Sequence, residues 1–278
     1  MKTTTLLSVV ALLGLTASLC TVPRALAANE ELEQAATHHV RTEQNKARDQ
    51  YRNPVATLAF FDVTPHSSVV EISPGAGWYT EILAPLLAAH GNLYAAHFPA
   101  DTTSEYGQRA RANFVTKLAS DPIYRKVQLT AFAPLAGVEV APAGSADVVL
   151  TFRNLHNWYM AGGEEAMLHA FNNFYTALKP GGVLGVVEHR LPESRLDTNW
   201  TRSGYFPQSL AVKIAEQAGF VFEASSEINA NPKDTADHPN GVWTLPPSLR
   251  VGDADPEIYK AIGESDRMTL KFRKPLAQ

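Results

Sequence analysis

The sequence predicts an α/β fold: a three-layer sandwich in which a mostly parallel, seven-stranded sheet ends on an antiparallel strand. Three stretches carry this expectation. Ser67 to Ile72 is β-branched and apolar with one acid, Pro74-Gly75-Ala76-Gly77 breaks the run, and from Trp78 apolar residues recur at helical spacing (Ile82, Leu83, Leu86, Leu87). Ser145 to Phe152 is a second buried-strand pattern, opening on Ala146-Asp147-Val148. Glu164 to Leu178 is a helical pattern that stops at Lys179-Pro180-Gly181-Gly182 and passes into another apolar run, Val183 to Val187. Strand patterns alternating with helical ones build parallel sheets with helices on both faces.

The first 27 residues read as a cleavable export signal. Lys2 gives a short positive region, Leu6 to Leu15 an apolar core too short to cross a membrane, and Ala25-Leu26-Ala27 an A-x-A cleavage site. A periplasmic or secreted location is therefore expected. The single cysteine, Cys20, leaves with this segment, so residues 28–278 have neither disulfide nor thiol chemistry. They are expected to form one domain. Without Lys2 and Arg24 the chain keeps 22 basic against 28 acidic residues, a net charge of −6. No basic stripe points to nucleic acid, and no second apolar run points to a membrane span in the mature form.

The remaining elements follow in order. Residues 28–60 read as N-terminal helices: Asn29 to Arg52 is polar with few breakers, Pro54 ends that stretch, and Val55 to Phe61 is apolar at helical spacing and is expected on the sheet edge. Gly91 to His97 reads as a turn and second strand, Tyr106 to Leu118 as an amphipathic helix and Val127 to Phe132 as a third strand. Ser209 to Ala218 is a helix closed by Gly219, Phe220 to Ile228 a sixth strand and Arg267 to Lys274 the last. Residues 229–266 are polar and rich in Pro, Asp and Gly, with Trp243 and Tyr259 as anchors, and are expected as a long loop or lid.

Candidate functional residues gather where strands end. A strand feeding a glycine turn into a helix lets backbone N–H groups face a ligand. After the fourth strand, Arg153-Asn154-Leu155-His156-Asn157-Trp158-Tyr159 offers an amide, an imidazole and an indole two residues apart, on one side of an extended loop. These suit substrate orientation, proton removal and stacking. Arg190, ending the fifth strand, could pair with a substrate carboxylate. No metal is expected, since neither His38-His39 nor Asp234, Asp237 and His238 has convincing ligand spacing. No G-x-S-x-G, H-E-x-x-H or C-x-x-C occurs, which leaves a hydrolase weakly supported.

The glycine turn resembles the first motif of class I S-adenosyl-L-methionine (SAM)-dependent methyltransferases, with Glu71 in place of the strand-ending acid, Gly75 and Gly77 as the glycines and Ser73 where an earlier Gly usually stands. The Asp-x-Val strand and the Leu178-Lys179-Pro180-Gly181-Gly182 turn follow in that family's order. The chain is particularly similar to bacterial predicted methyltransferases with an export signal. The resemblance implies a Rossmann-like fold and methyl transfer from SAM to a small molecule. Glu71, Ser73, Gly75 and Gly77 would hold the methionine end, and His97 or Asp101 the ribose, although His97 stands where the family places an acid. Asn154 and His156 would face the acceptor with His156 as base, and Trp158 and Arg190 would contact it. SAM is a cytosolic metabolite, which keeps open an alternative: a non-catalytic periplasmic binding protein for another small ligand. The oligomeric state is not legible in the sequence.

Overall fold

The computed structural model describes residues 24–276, with side chains from Asn29 onward; residues 1–23, and with them most of the expected signal and Cys20, lie outside the described residues. Helix α1 (Arg24–Ala36) overlaps the expected cleavage site, and the short helices α2 (Glu43–Lys46), α3 (Asp49–Arg52) and α4 (Pro54–Phe60) follow it. The sheet is then laid down by β1 (Ser68–Ile72), α5 (Thr80–Leu87), β2 (Asn92–His97), α6 (Glu105–Ala119), β3 (Val127–Ala131), β4 (Ala146–Phe152), α7 (Leu155–Ala177) and β5 (Leu178–Leu191). The chain closes with β6 (Phe206–Pro207), α8 (Gln208–Gln217), β7 (Val221–Ser226), α9 (Pro256–Ile262) and β8 (Arg267–Arg273).

Seven strands lie in the order β3-β2-β1-β4-β5-β8-β7, and the two-residue β6 pairs with β5 off this path. The first five run parallel, and β8 is antiparallel to both β5 and β7. All five residues of β1 are buried, as a strand covered on both faces requires. Successive side chains serve opposite layers: Val70, Ile72 and Val149 join Phe171, Phe174 and Ile214 under α7 and α8. Val69, Val148 and Leu150 join Leu58, Phe61, Ile82 and Leu83 under α4 and α5. The strand order reverses between β1 and β4, so their carboxyl ends part and leave a crevice.

Two expectations change. The apolar stretch before β1 is not on the sheet edge: Phe61 is fully buried over the middle of the sheet, because Gly185 of β5 has no side chain there, and a Cβ at Gly185 would lie 2.6 Å from the Phe61 ring. Residues 229–266 are not a plain loop. They contain a 3-10 turn at Gly241–Thr244 and α9, and are organised by the buried Asp234 carboxylate. It accepts hydrogen bonds from the Tyr205 hydroxyl at 2.9 Å, His238 Nε2 at 2.9 Å and the backbone N–H groups of Ala236 and Asp266.

Candidate functional site

A cavity of about 430 Å³ occupies the crevice at the carboxyl ends of β1 and β4. Its floor is Glu71, Ile72, Ser73, Pro74 and Gly75, and one wall is Phe152, Arg153, Asn154, His156 and Asn157. Arg48 and Arg52 reach it from the N-terminal helices, and Trp243, Pro246 and Pro247 from the long segment before β8. Its size is in the range of small-molecule sites.

The turn after β1 is wound in the left-handed region at Ser73 (φ 51°), Gly75 (φ 60°) and Gly77 (φ 80°). The two glycines do different work. A Cβ on Gly75 would meet nothing within 4 Å, so this residue opens the cavity floor. A Cβ on Gly77 would lie 3.0 Å from Lys117 and Phe114, so this residue lets α6 pack close, and it does not line the cavity. Glu71 is buried and accepts a 2.6 Å hydrogen bond from the Thr80 hydroxyl. Burial pushes its carboxyl up to about 7, against the lowering influence of Thr80 and Lys117.

His156 is positioned by Glu188, a fully buried residue of β5. The Glu188 carboxylate accepts from the backbone N–H groups of Leu155 at 2.6 Å, His156 at 3.4 Å and His189 at 2.7 Å, all of which require an acceptor. His156 Nδ1 lies 3.0 Å from Glu188 Oε1 and therefore donates to it. That fixes the tautomer and leaves the basic lone pair on Nε2. Beside it, His189 is buried with Nδ1 2.5 Å from the Ser265 hydroxyl. Burial, then the charge available to His156 and nearby arginines, holds the His189 imidazole well below its ordinary range, so it is neutral.

Among the described residues, His156, Glu188 and His189 are the one group of three whose donor atoms could converge on a metal, within 4.8 Å of one another. The chemistry does not suit a metal ion. Glu188 already accepts four hydrogen bonds, and the cavity is lined by four arginines and a single carboxylate residue, Glu71. Behind the wall Glu264 is buried and receives Arg48 Nε at 2.6 Å, Arg52 Nε at 3.1 Å and the Arg267 guanidinium. Burial alone would raise the Glu264 carboxyl, but Arg267, Arg52 and Arg48 carry it down to about 2.

Of the expected site residues, Glu71, Ser73, Gly75, Asn154 and His156 line the cavity. The Asn154 amide donates to the Ile72 carbonyl at 3.2 Å and to Thr151 Oγ1 at 3.1 Å, tying the ends of β1 and β4 together. The others are placed differently. His97 is buried beneath the turn, with Nε2 donating to the Gly75 carbonyl at 3.2 Å and Nδ1 accepting from Phe98 N–H at 2.8 Å. Asp101 is exposed and away from the cavity. Trp158 turns into the core against Phe132 and Phe174, because the chain is helical from Leu155 and residues two apart face opposite ways. Arg190 is held by Asp266 and Glu227 in two bidentate pairs outside the cavity. Arg153, Glu188 and Arg267 escape sequence reading as site residues, and Arg48 and Arg52, whose segment could cover the glycine turn, read more readily in sequence as part of a solvated face. Arg153 and Glu188 sit within strand-end clusters the sequence does mark, whereas the other three converge only in the folded chain.

No family model matches the chain, and no curated protein does. Solved structures do. A SAM-dependent methyltransferase from Aquifex aeolicus superposes with a TM-score of 0.52 at 13% identity, over 88% of this chain and 98% of that one. The [4+2]-cyclase SpnF superposes at 0.56 and 14% identity, over 87% and 86%. Human N-acetylserotonin methyltransferase, solved in complex with SAM, superposes at 0.50 and 16% identity, over 88% and 56%. The chain thus has the Rossmann-like fold of class I SAM-dependent methyltransferases.

Proposed function

We propose that the protein transfers the methyl group of SAM to a small-molecule acceptor. The observation that carries this reading is one cavity shared by the Gly75 turn, Glu71 and a histidine oriented by a buried carboxylate. SAM would supply an already activated methyl, so the protein's work is to align the acceptor and take its proton. Glu71, Ser73 and Gly75 would hold the methionine end. His156 Nε2 accepts the acceptor's proton while Glu188 keeps the ring in place and stabilises the imidazolium. Trp243, Pro246 and Pro247 help exclude water from the chamber. His97 and Asp101 do not line the cavity, so on this reading the ribose would meet groups other than the family's strand-ending acid.

Titration calorimetry with SAM and S-adenosylhomocysteine tests the reading: both are expected to bind saturably at one site. A folded protein that gives no heat with either at millimolar concentration would return the cavity to a different small ligand. We also propose export to the periplasm. Amino-terminal sequencing of protein from a periplasmic extract is expected to begin at Ala28; a chain that keeps Met1 in the cytosol overturns this.

A further inference from the structure

The cavity wall holds more positive charge than the fold neutralises. Arg48, Arg52, Arg153 and Arg267 all line the cavity, and Glu264 is the carboxylate that three of them share. Arg52 and Arg267 are 3% and 2% exposed, yet Arg52 Nη2 and Arg267 Nε are buried with no hydrogen-bond partner among the described residues, as is Arg48 Nη2. Arg153 makes neither an ion pair nor a side-chain hydrogen bond among the described residues, and its backbone is wound to φ 62°. Burial, then Arg153, lowers the Arg52 guanidinium to about 8; burial, then Arg267, lowers Arg153 to about 10. A buried donor without an acceptor, repeated on adjacent guanidinium groups, is costly unless a ligand completes it.

We propose that Arg153, with Arg52 and Arg267, forms the binding subsite for the oxyanion of the acceptor, so that the substrate class is small organic anions carrying a carboxylate or phosphate. This deepens the methyl-transfer reading and rests on it for the word acceptor; the anion site itself stands on the arginines alone. Guanidinium groups pair with carboxylate and phosphate through parallel N–H donors, which would occupy the free nitrogens. Apolar surface in the same chamber, from Val242, Trp243, Pro246 and Pro247, suits the body of such a molecule. The charge has a second effect. SAM carries a sulfonium, which four arginines repel, so an anion in the subsite is expected to strengthen SAM binding and, by reciprocity, SAM to strengthen anion binding.

Calorimetry on the purified protein tests this with benzoate, inorganic phosphate and the neutral isostere benzamide. Benzoate and phosphate are expected to bind without any nucleoside, and benzamide at least about tenfold more weakly than benzoate. Arg153→Met is expected to weaken benzoate by about tenfold or more without lowering the melting temperature, since it removes an unpaired cation. Benzoate is expected to bind alongside S-adenosylhomocysteine. Equal affinity for benzoate and benzamide, wild-type benzoate affinity in Arg153→Met, or no anion binding would overturn the subsite. Competition between benzoate and S-adenosylhomocysteine would also overturn it, by assigning the arginines to the cofactor's own carboxylate. Anion binding with no response to either nucleoside would instead remove the methyl-transfer reading and leave the subsite standing.

Discussion

At the scale of single residues, the proposed chemistry depends on which nitrogen of His156 is free. Glu188 decides this, because its oxygens are committed to backbone N–H groups and can only accept from Nδ1. Glu188→Gln would offer an amide that can turn its N–H₂ toward Nδ1 and favour the wrong tautomer. Turnover is expected to fall by at least about a hundredfold, the typical contribution of a positioned base, with S-adenosylhomocysteine affinity nearly unchanged. His156→Ala is expected to match it. Full turnover in either variant, once an acceptor is known, would take the histidine out of the mechanism. The sequence exposes His156 and the Glu188-His189-Arg190 run, but not that Glu188 rather than Arg190 reaches the cavity wall at His156. That choice depends on Asp266 and Glu227, which lie 76 and 37 residues away from Arg190 and capture its guanidinium.

At the scale of elements, the strand–turn–helix unit around Gly75 is local, so it is legible in the sequence. Buried β1, the left-handed turn and the apolar, almost wholly buried α5 each have short-range signals, and the same holds for β4 and the Lys179-Pro180-Gly181-Gly182 stop at the start of β5. What was not legible is where a helix begins. Asn154 is a residue type favoured at helix N-caps, but its amide bonds to Ile72 and Thr151 and makes no side-chain cap, and α7 starts at Leu155. That early start sends Trp158 to the core and keeps His156 at the cavity. The glycine turn itself yields a direct prediction. Gly75→Val puts a β-branched residue at φ 60° and a side chain into the open floor. The protein is expected to fold with a loss of about 1–3 kcal/mol, measured by urea denaturation, and to lose S-adenosylhomocysteine binding. Retained affinity would move the ligand off this turn.

Across the whole molecule, two buried carboxyl groups shape stability in separate pH windows. Glu264 is depressed to about 2, so its contribution is complete above its unfolded value near 4.5 and is lost as pH falls through about 2. Glu71 is raised to about 7, so its contribution is complete below about 4.5 and is lost as pH rises through about 7. The Glu71 share of the unfolding free energy is therefore expected to decline by on the order of 3 kcal/mol from about pH 4.5 to neutrality, while His189, held well below its ordinary value by burial, adds stability as pH rises toward 6.5 in the same window. Urea titrations of the wild type and Glu71→Gln across pH 3–8 check this: the stability of the wild type relative to the variant is expected to fall by that amount between about pH 4.5 and 7, and a pH-independent difference assigns no such role to Glu71. The wall of arginines has a consequence for how the molecule comes into being. Glu264 and the Arg48 that reaches it are 216 positions apart. A nascent chain still on the ribosome holds Arg48 and Arg52 with their counter-charge not yet synthesised. The chamber therefore has no pre-assembled fragment, and its wall is complete only when the carboxyl-terminal strand docks.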